Sequence, residues 1–162
     1  MAEPKFEKIA GRHMPGKAGS IFVALPNDGG GYVLGQVLQR RVEIGQVQGV
    51  WIAFYLGRHA SADAAVVADV LTLFDVPYVT NNLGWMHGYF RTVGERPVPT
   101  LGKVGFRAIG GDVLDLAGEP IDGPAECDLI VRQRFSPDGA IARKIILGAG
   151  TGVASRDGML GR

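Results

Sequence analysis

The chain has 162 residues, of which 46% are apolar, and this is enough for one domain with a single core. Its 17 basic and 16 acidic residues nearly cancel, so the basic excess typical of a dedicated nucleic-acid-binding protein is missing. The single cysteine, Cys127, excludes an internal disulfide and favours a reducing compartment. No apolar run reaches the roughly 18 residues of a membrane span. We therefore expect a cytoplasmic protein without a membrane partner.

The 25 glycines and nine prolines are scattered along the chain rather than periodic. This distribution is typical of tight turns between short strands. Residues 1–17 are polar and basic, and we expect them to form a flexible leader. Residues 18–147 are predicted to form one β-rich domain, followed by a flexible, glycine-rich tail over residues 148–162.

The first structured element is a predicted β-hairpin. The apolar run Ile21–Leu25 indicates a strand that ends at Pro26, and residues 27–31 (Asn-Asp-Gly-Gly-Gly) tolerate the positive φ angles of a hairpin loop. Tyr32–Gln39 forms the second predicted strand. Alternation places residues 33, 35 and 37 on one face and residues 32, 34, 36 and 38 on the other.

Further elements follow in chain order. Residues 50–56 are aromatic and β-branched, which predicts a buried strand. Ser61 is a predicted N-cap for a helix over residues 62–70. Strands are predicted over residues 71–80, 86–93, 104–109, 112–117 and 127–134. A second helix is predicted from Ser136-Pro137-Asp138 to Gly148. The expected fold is mainly β: a strongly bent antiparallel sheet or small barrel with two short helices.

The sequence does not favour a catalytic centre, a metal site or a cofactor. The glycines of residues 148–152 are spaced G-x-G-x-G, which differs from a dinucleotide-binding fingerprint. His13, His59 and His87 lack the spacing of metal ligands. Cys127 has no recognisable base to activate it and is predicted to be a small buried residue.

A run of carboxylates is the first candidate partner-binding surface. Between residues 112 and 128 there is no Lys or Arg, and the acids include Asp112, Asp115, Glu119 and Asp122. Such residues commonly mark solvated turns. The alternative is an acidic surface that binds a basic protein partner, where complementary charge accelerates encounter.

The second candidate surface lies in residues 85–91. If this segment is a strand, Trp85, His87, Tyr89 and Arg91 share one face. Either that face packs in the core, or it is exposed with the Trp, Tyr and Arg content of an interface hot spot.

The hairpin segments Gly19–Pro26 and Gly31–Leu38 resemble the opening hairpin of immunity protein family 26 of bacterial polymorphic toxin systems. Gly84-Trp85 and the strand and helix near the C-terminus resemble later parts of the same family. The resemblance implies an all-β, non-enzymatic protein that binds and neutralises a cognate toxin domain without a cofactor. A nuclease is one toxin class that an acidic surface would suit.

Two alternatives remain open from the sequence. One is a small β-barrel module that binds nucleic acid or glycan by stacking on exposed aromatic residues such as Trp51, Tyr55 or Trp85, although the charge balance does not favour nucleic acid. The other is a hydrolase that uses His87 together with Asp75 or Glu95.

Overall fold

The structure, a computed structural model, describes residues 5–44, 47–67, 78–99, 106–107, 113–114, 119–122 and 140–149. Eight strands and three helices lie within these ranges. In chain order they are β1 (Phe6–Glu7), β2 (Ser20–Pro26), β3 (Val33–Ile44), β4 (Val47–Phe54), α1 (Ala62–Val66), β5 (Tyr78–Thr80), α2 (Leu83–Met86), β6 (Arg91–Glu95), β7 (Phe106–Arg107), β8 (Val113–Leu114) and α3 (Ala140–Ala149).

Six of these strands form one antiparallel sheet. Strands β2, β3, β4 and β5 are neighbours in that order. The other edge of β2 is shared by two short strands, since β6 pairs with Ser20–Val23 and β1 pairs with Leu25 and Pro26. Strands β7 and β8 form a separate antiparallel pair. The prediction of a mainly β, bent antiparallel sheet is confirmed, and within the described ranges the sheet is open rather than closed into a barrel.

The predicted opening hairpin is confirmed. Strand β2 pairs with β3 in a register that joins Ile21 to Gln36 and Ala24 to Val33. The predicted alternation is also correct, because Val33 and Val37 lie in one apolar cluster and Leu34 and Leu38 in another. Both faces of this hairpin are therefore covered, and its strands read as nearly continuous apolar runs for that reason.

One face of the sheet packs on a group of aromatic rings. The Phe22 ring stacks on Phe90 with centroids 4.7 Å apart and meets the edge of Trp85 at 5.1 Å. Gly35 makes room for this group, because a Cβ at that position would overlap the Phe22 ring. Helix α3 covers the same face with Ala142, Ile145 and Ile146. Aromatic pairs at these separations stabilise a core beyond the area they bury.

The other face is covered by α1. Ser61 accepts a hydrogen bond from the backbone N–H of Ala64 at 3.1 Å, which confirms it as the N-cap of α1. Ala62 and Ala65 of this helix are buried against Ile21, Leu34 and other residues of the sheet. The short side chains of α1 allow the helix to lie close to the strands.

The segment expected to be a flexible leader differs from that prediction over residues 5–17. Phe6 is 1% exposed and packs edge-on against Phe90 at 6.1 Å. The backbone N–H groups of Ile9 and Ala10 both donate to the carbonyl of Gly88. Gly88 has φ +77°, and a Cβ there would overlap the Ala10 carbonyl. Composition suggested a solvated leader, but one buried phenylalanine and these hydrogen bonds attach the segment to the sheet.

The C-terminal helix extends further than predicted, because Gly148 lies inside α3 instead of ending it. Helix α2 was not predicted, so the described residues contain three helices where two were expected. The predicted strand over 127–134, the cap at residues 136–138 and the tail from residue 150 onward lie outside the described residues. No described helix has the length and apolar composition needed to cross a membrane.

Candidate binding cleft

A polar cleft of about 300 Å³ lies beside the distal half of the β3–β4 pair. We call it the arginine cleft. Its lining consists of two arginines, three residues with side-chain amides and four other residues, drawn from four separate parts of the chain. The lining residues are Met14, Pro15, Arg40, Arg41, Gln48, Gly49, Val50, Asn81 and Asn82.

Irregular strand pairing brings two neighbouring arginines to the same cleft. The register of β3 against β4 shifts between Val37 and Gln39 and again between Gln39 and Val42. In a regular strand, consecutive side chains point to opposite faces, and a bulge interrupts this alternation. Arg40 and Arg41 are both exposed and both line the cleft. The bulged segment therefore presents two adjacent cations on one side.

The opposite wall is positioned by the close approach of β5 to β4. Val50 pairs with Thr80, and the chain continues directly into Asn81 and Asn82. A Cβ at Gly49 would lie 2.5 Å from the Thr80 carbonyl oxygen, which is closer than real side chains approach backbone. Glycine at this position thus allows the two strands to pair and places the asparagines next to the bulge.

Asn81 has a fixed orientation in this wall. Its Oδ1 accepts a hydrogen bond from the backbone N–H of Leu83 at 3.1 Å. Because the oxygen takes this N–H, the amide nitrogen Nδ2 must face the other way. Nδ2 is buried and has no hydrogen-bond partner among the described residues. A buried donor without a partner is costly.

The charge of the lining has one sign. Arg40 and Arg41 supply two guanidinium groups, and none of the lining residues is acidic. In the described part of the chain the ion pairs join Lys17 to Glu95 at 3.3 Å and Arg58 to Asp28 at 2.6 Å, and neither involves these two arginines. The cleft therefore offers planar hydrogen-bond donors and positive charge to a ligand, a combination suited to oxyanions.

Arg58, in contrast, is committed to the structure of the first hairpin loop. Its guanidinium donates to both carboxylate oxygens of Asp28, at 3.0 and 2.6 Å, and to the carbonyl of Gly31. The hydrogen bond from Arg58 lowers the pKa of Asp28 to about 2. Nearby, burial lowers the pKa of His59, whose backbone pairs with that of Tyr32. This end of the hairpin is a structural site.

A second polar network is buried inside the sheet. Gln36 is 1% exposed, and its Nε2 donates to the carbonyls of Gly19, Arg96 and Pro97. The Tyr55 hydroxyl donates to Gln36 Oε1 at 2.6 Å, and burial raises the pKa of Tyr55 to about 12. The network attaches residues 96–97 to the central strands and keeps Tyr55 neutral, which is a structural role.

The predicted face of Trp85, His87, Tyr89 and Arg91 does not exist as such. Residues 83–86 form α2, and a turn follows before β6 begins at Arg91. Trp85 is 0% exposed, whereas His87 and Arg91 are exposed and Tyr89 is half-buried. The prediction of one shared strand face is therefore wrong, and Trp85 belongs to the core of the described structure.

Local signals for this helix were present in the sequence. Asn81 and Asn82 precede α2, and Gly88 ends the turn after it with a positive φ. Gly84 is also required, because a Cβ there would overlap the Phe90 ring. The aromatic composition favoured a strand, but the flanking asparagines and glycines determined a helix and turn.

The acidic surface is only partly described. Glu119 and Asp122 are exposed in the segment that follows β8, where the Ile121 N–H donates to the Val113 carbonyl. Asp112, Asp115, Cys127 and the remaining acids up to Asp128 lie outside the described residues. Neither Glu119 nor Asp122 is among the residues that line the arginine cleft.

The residues named for the two alternative functions are placed as follows. Trp51, Tyr55 and Trp85 are at most 8% exposed, so they offer no surface for stacking of a base or sugar. His87 is exposed beside Tyr89, Glu95 pairs with Lys17, and Asp75 lies outside the described residues. Within the described ranges, no group of three His, Cys, Asp or Glu residues is arranged to hold a metal ion.

No protein-family model, curated protein or solved structure matches this chain. The arginine cleft was not predicted from the sequence, because the second predicted strand ended at Gln39. The sequence did contain one signal for this irregular segment, the adjacent pair Arg40-Arg41. Two neighbouring charged residues cannot both be buried, so they indicate an interruption in a strand whose other residues are apolar.

Proposed function

We propose that this chain is an immunity protein that binds a cognate bacterial toxin domain in a stoichiometric complex and thereby neutralises it. The resemblance of the opening hairpin supports the proposal, and the two segments that carry it form the antiparallel strands β2 and β3. The protein acts in this proposal by occupying a surface of the toxin, and it transfers no chemical group.

One observation carries the proposal: an exposed arginine pair lies in β3 between Leu38 and Val42, which are both buried in the core. Tight binding requires a surface that does not have to be ordered on contact, because ordering it would subtract from the affinity. Leu38 and Val42, which are buried on either side of Arg40 and Arg41, attach this part of β3 to the core. Arginine is enriched at the residues that contribute most to protein interfaces.

The rim of the arginine cleft also has the composition of a protein interface. Met14 is 52% exposed and lies next to Pro15 at the edge of the cleft. Methionine and arginine are both enriched at interfaces relative to the remaining surface. We assign the toxin-binding surface to the arginine cleft in place of Trp85, which is buried.

The test uses the full chain and the purified toxin domain that is encoded beside it. Toxin activity is measured while the chain is added from substoichiometric amounts to molar excess. We expect activity to disappear near a one-to-one ratio, together with a complex in size-exclusion chromatography. A toxin domain from an unrelated locus serves as control and should keep its activity. Full activity of the neighbouring toxin at molar excess would end the proposal.

A further inference from the structure

We propose that the arginine cleft binds the carboxylate side chain of an aspartate or glutamate in an acidic segment of the protein partner. This inference rests on the proposed function and specifies the chemistry of the surface that the partner presents. It also reverses the expectation from the sequence, in which the acidic groups belonged to this chain.

The lining of the arginine cleft contains two arginines and three residues with side-chain amides. Arg40 and Arg41 each carry a planar guanidinium that can donate two parallel hydrogen bonds to a carboxylate. Gln48, Asn81 and Asn82 add neutral amide donors around them. The lining contains no carboxylate that would neutralise or repel such a ligand.

The guanidinium groups of Arg40 and Arg41 have no acidic partner within the described structure. Arg58 is saturated by Asp28 and Gly31, whereas Arg40 and Arg41 enter none of the described ion pairs. An incoming oxyanion would satisfy donors that the fold has positioned but not paired.

The apolar residues of the lining favour a carboxylate side chain over a free inorganic anion. The cleft has an apolar rim formed by Met14 and Pro15, and Val50 is also part of its lining. Methylene groups of an aspartate or glutamate side chain can pack on such a rim, but phosphate has none to offer. A volume of about 300 Å³ accommodates one or two side chains at an open surface.

The experiment compares R40Q/R41Q with the wild type for binding to the neighbouring toxin domain. We expect the double variant to raise the Kd by about tenfold or more at low ionic strength, because both charge-assisted donors are lost. The control R143Q/K144Q removes the same charge from an exposed pair on α3 and should change the Kd by less than about twofold. Thermal unfolding of each variant checks that the fold is retained.

Salt dependence gives a second readout. Raising the ionic strength from about 0.01 M to about 1 M shortens the screening length from roughly 30 Å to roughly 3 Å. Wild-type binding should weaken steeply over this range, and R40Q/R41Q binding should weaken much less. A charge reversal, R40E/R41E, should raise the Kd further than R40Q/R41Q, because like charges then face each other.

The outcomes separate the two proposals. If the wild type forms no complex with the toxin, the proposed function fails. If the wild type binds and R40Q/R41Q binds with the same Kd, only the carboxylate site is overturned. If inorganic phosphate at micromolar concentration displaces the toxin while succinate does not, the site selects phosphate and the carboxylate assignment is wrong.

Discussion

The arginines at the two ends of strand β3 have opposite roles. At the loop end, Arg58 is 12% exposed at its side chain and closes the turn by binding Asp28 and Gly31. At the bulged end, Arg40 and Arg41 extend into an open cleft and enter none of the described ion pairs. The comparison shows that residue type alone does not reveal a binding site. What distinguishes the two ends is whether the fold already supplies acceptors for the donors.

The largest expected effect concerns the core that supports both ends. Trp85→Ala removes a fully buried ring that packs on Phe22 and Phe90, and we expect it to lower the free energy of unfolding by about 3–5 kcal/mol. Urea denaturation measures the loss. His87→Ala, two residues away and exposed, is the control and should have little effect. A Trp85→Ala protein of wild-type stability would mean that the ring is not a core residue.

A smaller loss is expected at the buried polar network between the two ends. Gln36→Leu removes the donor to the Arg96 and Pro97 carbonyls and the acceptor of the Tyr55 hydroxyl. The Gly19 carbonyl keeps its hydrogen bond from the Arg96 N–H. Buried groups of this kind cost about 1–3 kcal/mol each when unpaired, and partial relaxation should limit the total to about 3 kcal/mol. Gln48→Leu, at an exposed position in the arginine cleft, should change stability by less than about 0.5 kcal/mol. Equal losses of stability in the two variants would show that the Gln36 hydrogen bonds do not stabilise the fold.

The ion pair at the loop end should contribute a pH-dependent increment. The folded-state pKa of Asp28 is lowered from 3.8 to about 2 by its hydrogen bond from Arg58. A lowered pKa stabilises the fold above the unfolded-state value, and this contribution is lost as pH falls from about 4 towards 2. The carboxylate is 41% exposed, so solvent screening keeps the contribution to about 1 kcal/mol or less.

Unfolding curves between pH 2 and pH 6 test this contribution. Asp28→Asn should reduce the wild-type loss of stability at acidic pH, and Arg58→Gln should reduce it similarly because the same pair is broken. Exposed Asp63 on α1 offers a matched control through Asp63→Asn. A wild-type acid profile in Asp28→Asn would show that the pair does not form in solution.

The smallest expected effect sharpens the comparison at the bulged end. Because Arg40 and Arg41 are exposed and enter none of the described ion pairs, R40Q/R41Q should change the free energy of unfolding by less than about 0.5 kcal/mol. Thermal denaturation at neutral pH is sufficient to measure this. A destabilisation like that expected for Gln36→Leu would indicate that the arginines have a structural role and would argue against a binding cleft.

The sequence by itself determined the opening hairpin, the buried strand after it, the N-cap of α1 and the mainly β class. These features depend on alternation, turn residues and capping, which act between near neighbours in the chain. The course of residues 83–90 was mispredicted although its signals were local. There aromatic composition and the N-terminal asparagines pointed to different structures.

Tertiary structure alone decided which polar residues are paired. Arg58 and Asp28 meet although they are 30 positions apart in the chain. Whether Arg40 and Arg41 share a cleft depends on two register shifts and on the contact of Gly49 with Thr80. Burial of Phe6 and Trp85 likewise requires partners distant in sequence. Local rules specify where strands and caps form, but the pairing of donors and acceptors is fixed only when distant segments pack together.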